Sequence, residues 1–177
     1  FSVFQSTADV WAIRQLLPVA PVHRLNQQPN KEVSLVDITC DSDGKIDQFI
    51  GEEGVTSTLP LHELKEEEPY YLGVFLTGAY QDVMGDMHNL FGRINEVHVY
   101  SDEDDPKGFY IEEIIKGFSS KDVLSQMQYT PQMMAALMKK YIDKEIKKGT
   151  VLPREGIKLI DFYDACLDDY TYLKTEK

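Results

Sequence analysis

Strand-like patterns come first along this chain and helix-like patterns follow, which predicts an α+β fold. Three observations carry that reading. Residues 95–100 and 109–115 alternate apolar and polar side chains around an acidic turn, the pattern of a hairpin. Residues 70–76, Tyr-Tyr-Leu-Gly-Val-Phe-Leu, are aromatic and β-branched, as strands prefer. From Ser119 onward apolar residues recur at helical spacing between recognisable caps.

Each element has its own local reason. Ser6 or Thr7 can cap a short helix with Asp9 in its first turn and Val10, Ile13, Leu16 and Leu17 on one face. Pro18 stops it. Residues 18–24 read as extended, 25–31 as a polar loop, and 33–39 as an apolar strand buried on both faces. Gly44 breaks the chain. Leu59 and Leu61 alternate with polar neighbours within a strand over 56–64. A short helix runs from Gly78 through Met84, followed by a loop over 85–92. In the second half Ser119 or Ser120 caps a helix to about Tyr129. Thr130-Pro131 opens another, with Met134, Leu137, Met138, Tyr141, Ile142 and Ile146 at helical spacing and Gly149 closing it. Pro153 opens the last helix, which carries Ile157, Ile160, Tyr163 and Leu167.

Composition narrows the function classes. A chain of 177 residues with 42% hydrophobic content can bury one ordinary core, with room for a small appendage. No apolar run reaches membrane-spanning length. The net charge of −12 would repel phosphates, which argues against nucleic-acid and anionic-membrane partners. Two cysteines far apart, Cys40 and Cys166, do not make a disulfide framework and suit a reducing, cytoplasmic setting. Cys166, between Ala165 and Leu167, reads as buried apolar filler. The chain starts at Phe1 without an initiator Met, so a piece of a longer protein is expected.

The string Cys-Asp-Ser-Asp-Gly-Lys at residues 40–45 is the strongest chemical signal. It puts a thiol and two carboxylates where a strand breaks into a turn, a placement that exposes reactive groups from a rigid base. A thiol can donate a proton or attack as a nucleophile. Adjacent carboxylates disfavour the thiolate and so keep the proton-donating form. The plain alternative is a buried Cys40 with Asp41 capping the turn. A calcium loop fails: with Gly44 at position 6, positions 1 and 12 are Thr39 and Ile50. Gly78-Ala79-Tyr80 follows a strand and opens a helix, where N–H groups and a phenol can meet an anion, although a core tyrosine is the commoner use. His23, His62, His88 and His98 share no metal-ligand spacing.

Taken together, several strings resemble the C-terminal part of the bacterial biosynthetic arginine decarboxylases. They are residues 40–45, Tyr-Tyr-Leu-Gly at 70–73, Gly-Ala-Tyr-Gln at 78–81 and Gly-Asp-Met-His-Asn-Leu-Phe-Gly at 85–92. The start, Phe-Ser-Val-Phe-Gln-Ser, and the tail string Tyr-Thr-Tyr-Leu at 170–173 fit the same pattern. The resemblance implies an antiparallel β-barrel or sandwich-like C-terminal domain over residues 1–118, with an appended helical segment over 119–177. The stretch from Phe1 to about Leu17 would be the end of a preceding barrel domain. It implies a pyridoxal-phosphate enzyme that converts L-arginine to agmatine and CO₂ as a homodimer or larger assembly. The barrel, which holds most of the cofactor contacts and the Schiff-base lysine, is absent from this chain, so the chain alone is expected to be inactive. Residue by residue, Cys40 would be the catalytic proton donor, reaching the partner protomer's active site. Asp41 would pair with the cationic end of the substrate, and Tyr80 would approach the cofactor phosphate. The family's magnesium requirement finds no recognisable metal site here. Two other readings stay open: a non-catalytic dimerisation or regulatory domain, and a decarboxylase acting on a related basic amino acid.

Overall fold

The computed structural model describes residues 2–39 and 44–172. Contacts divide the chain into two compact units, Phe1–Asn89 and Leu90–Lys177.

In the first unit, helices α1 (Val3–Ser6), α2 (Ala8–Ile13) and α3 (Ala79–Met84) accompany eight short strands. These are β1 (Val19–Pro21), β2 (Lys31–Val33), β3 (Leu35–Val36), β4 (Lys45–Ile46), β5 (Phe49–Gly51), β6 (Gly54–Thr56), β7 (Leu59–Leu61) and β8 (Leu72–Val74). Among the described residues they pair two by two, all antiparallel: β1 with β8, β2 with β7, β3 with β4 and β5 with β6. The α+β class and antiparallel pairing stand. The ladders remain two-stranded among the described residues and do not close into a barrel. Val3, Ile46, Phe49, Leu59 and Leu61 form the buried core, with Val10, Val19, Val33, Leu35, Tyr70 and Leu72 packed against it.

The leucine alternation over 56–64 is present, since Leu59 and Leu61 are buried and Pro60 between them is exposed. The strand expected over 33–39 is different. It divides into β2, which ends at Val33, and β3, and it is not buried on both faces: Val36 is 74% exposed and Ile38 is also exposed. Successive side chains of β3 point to opposite faces, so Leu35 packs against the core and Val36 faces outward. His62, buried, is fully engaged: Nδ1 lies 2.6 Å from the Tyr70 hydroxyl and Nε2 lies 2.9 Å from the Gln27 carbonyl. It is a structural histidine.

The second unit opens with a hairpin of β9 (Glu96–Ser101) and β10 (Phe109–Ile115), which has a bulge between Ile111 and Glu113. The acidic turn between the strands is held by its own backbone, Asp102 N–H to Gly108 O at 3.0 Å. Three helices follow: α4 (Ser120–Gln126), α5 (Pro131–Lys148) and α6 (Pro153–Leu167). Their ends match the sequence signals. Ser119 forms a capping box with Asp122, and the Thr130 side chain accepts from the Met133 N–H. Gly149 takes the left-handed conformation that ends α5, and the Glu155 carboxylate accepts the Leu152 N–H at 3.0 Å. Cys166, expected as filler, is instead exposed. It lies on the outward face of α6, while the adjacent Leu167 takes the buried position.

Two strings that were separate in sequence meet in this unit. Gly92 donates its N–H to the Thr171 hydroxyl at 3.0 Å, and its carbonyl accepts from the Tyr172 hydroxyl at 2.9 Å. Phe91 packs on Tyr172, and Ser119 bridges Tyr170. Gly117 lies so close to the Arg93 carbonyl that a Cβ there would sit 2.3 Å from it.

Ser119→Ala removes the acceptor for the Asp122 N–H and one half of the box. It is expected to lower unfolding stability by about 1 kcal/mol, read from urea denaturation. Gly117→Ala, which forces backbone to move, should cost more.

Candidate functional site

The base of residues 40–43 is built by Asp37. The β3–β4 ladder pairs Leu35 with Ile46 and Val36 with Lys45, so the chain between them must turn back. Asp37 closes that turn by donating its N–H to the Gly44 carbonyl at 2.8 Å. Its carboxylate accepts three further bonds: the Val3 N–H at 2.9 Å, the Thr39 N–H at 2.9 Å and the Thr39 hydroxyl at 2.6 Å. Gly44 presses against the same group. A Cβ at Gly44 would lie 2.3 Å from the Asp37 carboxylate oxygen, so the turn needs glycine for space. Cys40 and Asp41, the predicted proton donor and substrate carboxylate, lie outside the described residues, as does Asp43. The residues on either side of them, Thr39 and Gly44, are both held by Asp37.

Burial pushes the Asp37 carboxyl up. The Thr39 hydroxyl and the Val3 and Thr39 N–H groups, with His88 nearby, outweigh that and hold it below the ordinary aspartate value. His88 brings the 85–92 string to this region. Its ring packs on Phe4 at 4.5 Å, and its Nε2 is buried without a hydrogen-bond partner among the described residues.

Tyr80 sits in the first turn of α3, after Gly78, and is 63% exposed. It is not the core tyrosine of the alternative reading. α3 has six residues, too few for much of a helix dipole, so the phenol is the group of interest there. α3 is fixed by Gln81, whose amide donates to the Asp9 carboxylate at 2.5 Å and whose carbonyl accepts the Asp9 N–H at 3.1 Å. Gly85 seats the end of the helix against the Gln5 carbonyl. Among the described residues no three His, Cys, Asp or Glu side chains gather as metal ligands, and no helix is long and apolar enough to cross a membrane. Sequence reasoning passed over Asp37, which lay inside an apolar run. A lone carboxylate there was the available signal.

Short antiparallel ladders followed by a capped helical extension match known proteins in the same order. Residues 121–173 match the family described as the arginine decarboxylase C-terminal helical extension. The chain is 47% identical over 174 residues to the biosynthetic arginine decarboxylase of Bacteroides thetaiotaomicron, covering 98% of this chain and 27% of that protein. It is 45% identical over 178 residues to the one from Gloeobacter violaceus, covering 99% of this chain and 28% of that protein. It resembles the crystal structure of the biosynthetic arginine decarboxylase from Campylobacter jejuni with a TM-score of 0.84 and 34% identity, over 99% of this chain and 28% of that one. In sequence and in fold the chain is similar to the C-terminal region of the biosynthetic arginine decarboxylases. It spans little more than a quarter of the length of the curated relatives it matches.

The depressed Asp37 value has a consequence for acid stability. Because the folded value lies below the unfolded one, the stabilisation is fully present above about pH 4 and is lost as pH falls through the folded value. Asp37→Asn should therefore lose stability at neutral pH and flatten the dependence below pH 4, in melting temperatures taken from about pH 2 to 7. An unchanged acid slope would mean the carboxylate is not so held.

Proposed function

We propose that this chain supplies the C-terminal part of a pyridoxal-phosphate-dependent arginine decarboxylase of the cytoplasm, which converts L-arginine to agmatine and CO₂ for polyamine synthesis. The supporting observation is the agreement over nearly the whole chain with proteins named for that activity, in sequence and in fold. The enzyme works as a homodimer or larger assembly, in which the turn at 40–43 meets the barrel domain of a partner protomer and the rest of the chain accompanies its own. The chain alone, without a barrel, is inactive.

Cys40 holds a proton on Sγ and delivers it to the carbon that has lost CO₂, and solvent then restores the thiol. The neighbouring carboxylates Asp41 and Asp43 disfavour the thiolate and so keep Sγ protonated. Asp41 holds the substrate guanidinium, for which a carboxylate is the matching fork. Asp37 bonds to Thr39 and Gly44, the described residues on either side of Cys40 and Asp41. Pyridoxal phosphate supplies the electron sink when bound. The exposed phenol of Tyr80 fits a contact to its phosphate: it is a donor with no partner among the described residues.

The test uses the longer polypeptide that carries this chain, with added pyridoxal phosphate and L-arginine. Cys40→Ala should abolish agmatine formation while the bound cofactor keeps its visible absorbance. Agmatine produced at the unmodified rate would refute the role of the thiol. Asp41→Asn should raise the arginine KM by roughly tenfold or more, the worth of a hydrogen bond to a charged group. Tyr80→Phe should weaken cofactor retention several-fold without changing the KM.

A further inference from the structure

The second unit leaves two of its own surfaces uncovered. The first is one face of the β9–β10 hairpin. Opposed residues of an antiparallel ladder share a face, so the pairs Val97–Ile114 and Val99–Ile111 lie together with Phe109, two residues from Ile111. All five side chains are apolar, and each is between 41% and 63% exposed. A two-stranded sheet is marginal alone in water, and a contiguous apolar face on it marks a place where something docks.

At its tip the same hairpin carries Asp102-Glu103-Asp104-Asp105. Asp102 and Asp105 use their carboxylates on the turn itself, accepting the Asp104 N–H at 3.0 Å and the Lys107 N–H at 2.8 Å. Glu103 and Asp104 are exposed and make no ion pair among the described residues.

The second surface is the outward face of α5. Its inward face holds the buried Ile142, which with Ile146 meets Gly156 of α6. Opposite Ile142, the exposed residues Met133, Leu137, Lys140, Lys144 and Lys147 follow one another at helical spacing. That stripe is apolar in its first half and cationic in its second. α5 carries five lysines against two acidic residues, in a chain whose net charge is −12. Among the described residues only Lys148 of the five makes an ion pair, with Glu145 at 2.6 Å.

The two surfaces match in length and in character. Met133 to Lys147 spans about 21 Å of helix at 1.5 Å per residue. Val97 to Glu103 spans about 20 Å of strand and turn. Each surface has an apolar half and a charged half, and the charges are of opposite sign.

We infer that the aliphatic face and acidic tip of the hairpin dock along the outward face of α5 in a second copy of the chain. Glu103 and Asp104 meet Lys140, Lys144 and Lys147, and the aliphatic residues meet Met133 and Leu137. The contact is reciprocal: the helix of each copy receives the hairpin of the other. Both surfaces of each copy are then used, and the assembly closes instead of growing into a fibre. This contact goes beyond the assembly proposed above, which joins copies at the 40–43 turn, and it uses none of the residues given roles in the reaction.

The test uses the longer polypeptide that carries this chain, with its mass followed by sedimentation over a dilution series. Lys140→Glu with Lys144→Glu reverses the helix, and Glu103→Lys with Asp104→Lys reverses the turn. Each reversed protein should fall to a smaller assembly where the unmodified one holds, with association weakened at least about tenfold, because like charges then meet at both contacts. An equimolar mixture of the two should regain the unmodified mass, since every reversed surface then faces its complement. The unmodified assembly should also weaken as sodium chloride is added. An unchanged mass in both reversed proteins, or a loss that mixing does not recover, would overturn the contact. A variant that had merely misfolded could not be rescued by another copy. The mass is read without arginine or cofactor, so failure of the decarboxylase reading would leave the result intact.

Discussion

The carboxylate of Asp37 ties the opening of the first helix to the turn that follows β3. It receives three donors while its own N–H closes onto Gly44. One of those donors, the Val3 N–H, comes from the opening turn of α1, so the residues before the first strand and the turn after β3 share one anchor. The N–H groups at a helix start have no partner within the helix, and an acidic side chain from elsewhere in the chain satisfies one of them here. A short two-residue ladder such as β3–β4 could not fix its turn unaided. The side-chain bonds of Asp37 do that work, and Gly44 leaves them the space.

A second constraint is the fixing of α3. Gln81 and Asp9 satisfy each other across 72 residues of sequence, and the close seat of Gly85 on Gln5 leaves no freedom at the end of the helix. That double attachment is what allows Tyr80 to stand exposed on a six-residue helix, too short to persist on its own. The helices of the second unit rest on different terms. α5 and α6 are long; α5 is capped at both ends by Thr130 and Gly149, α6 opens with the Glu155 carboxylate on the Leu152 N–H, and the two pack closely where Gly156 meets Ile142 and Ile146.

Charge is distributed as unevenly as packing. Most of the cations of the first unit are spent on neighbouring carboxylates, which gives little net stability at a surface but keeps the acidic unit from repelling itself. Arg14 and Lys45 line one cavity together with Asp47, the carboxylate that Lys45 pairs with at 2.8 Å.

The features legible in the sequence were those carried by neighbouring residues. Ser119, Thr130 before Pro131, and Gly149 after two lysines fixed the start of α4 and both ends of α5, because caps act within one turn of backbone. The alternation at 95–100 and 109–115 fixed the hairpin for the same reason. What only the tertiary structure decided depends on partners far away in the chain. Val36 and Ile38 are exposed while Leu35 packs on the core, and Cys166 is exposed while the adjacent Leu167 is buried. Asp37 gains its role from Val3, thirty-four residues earlier. Local propensity sets which elements form. Burial and hydrogen-bond partners are set by which elements meet, and one chain read in order does not contain that information.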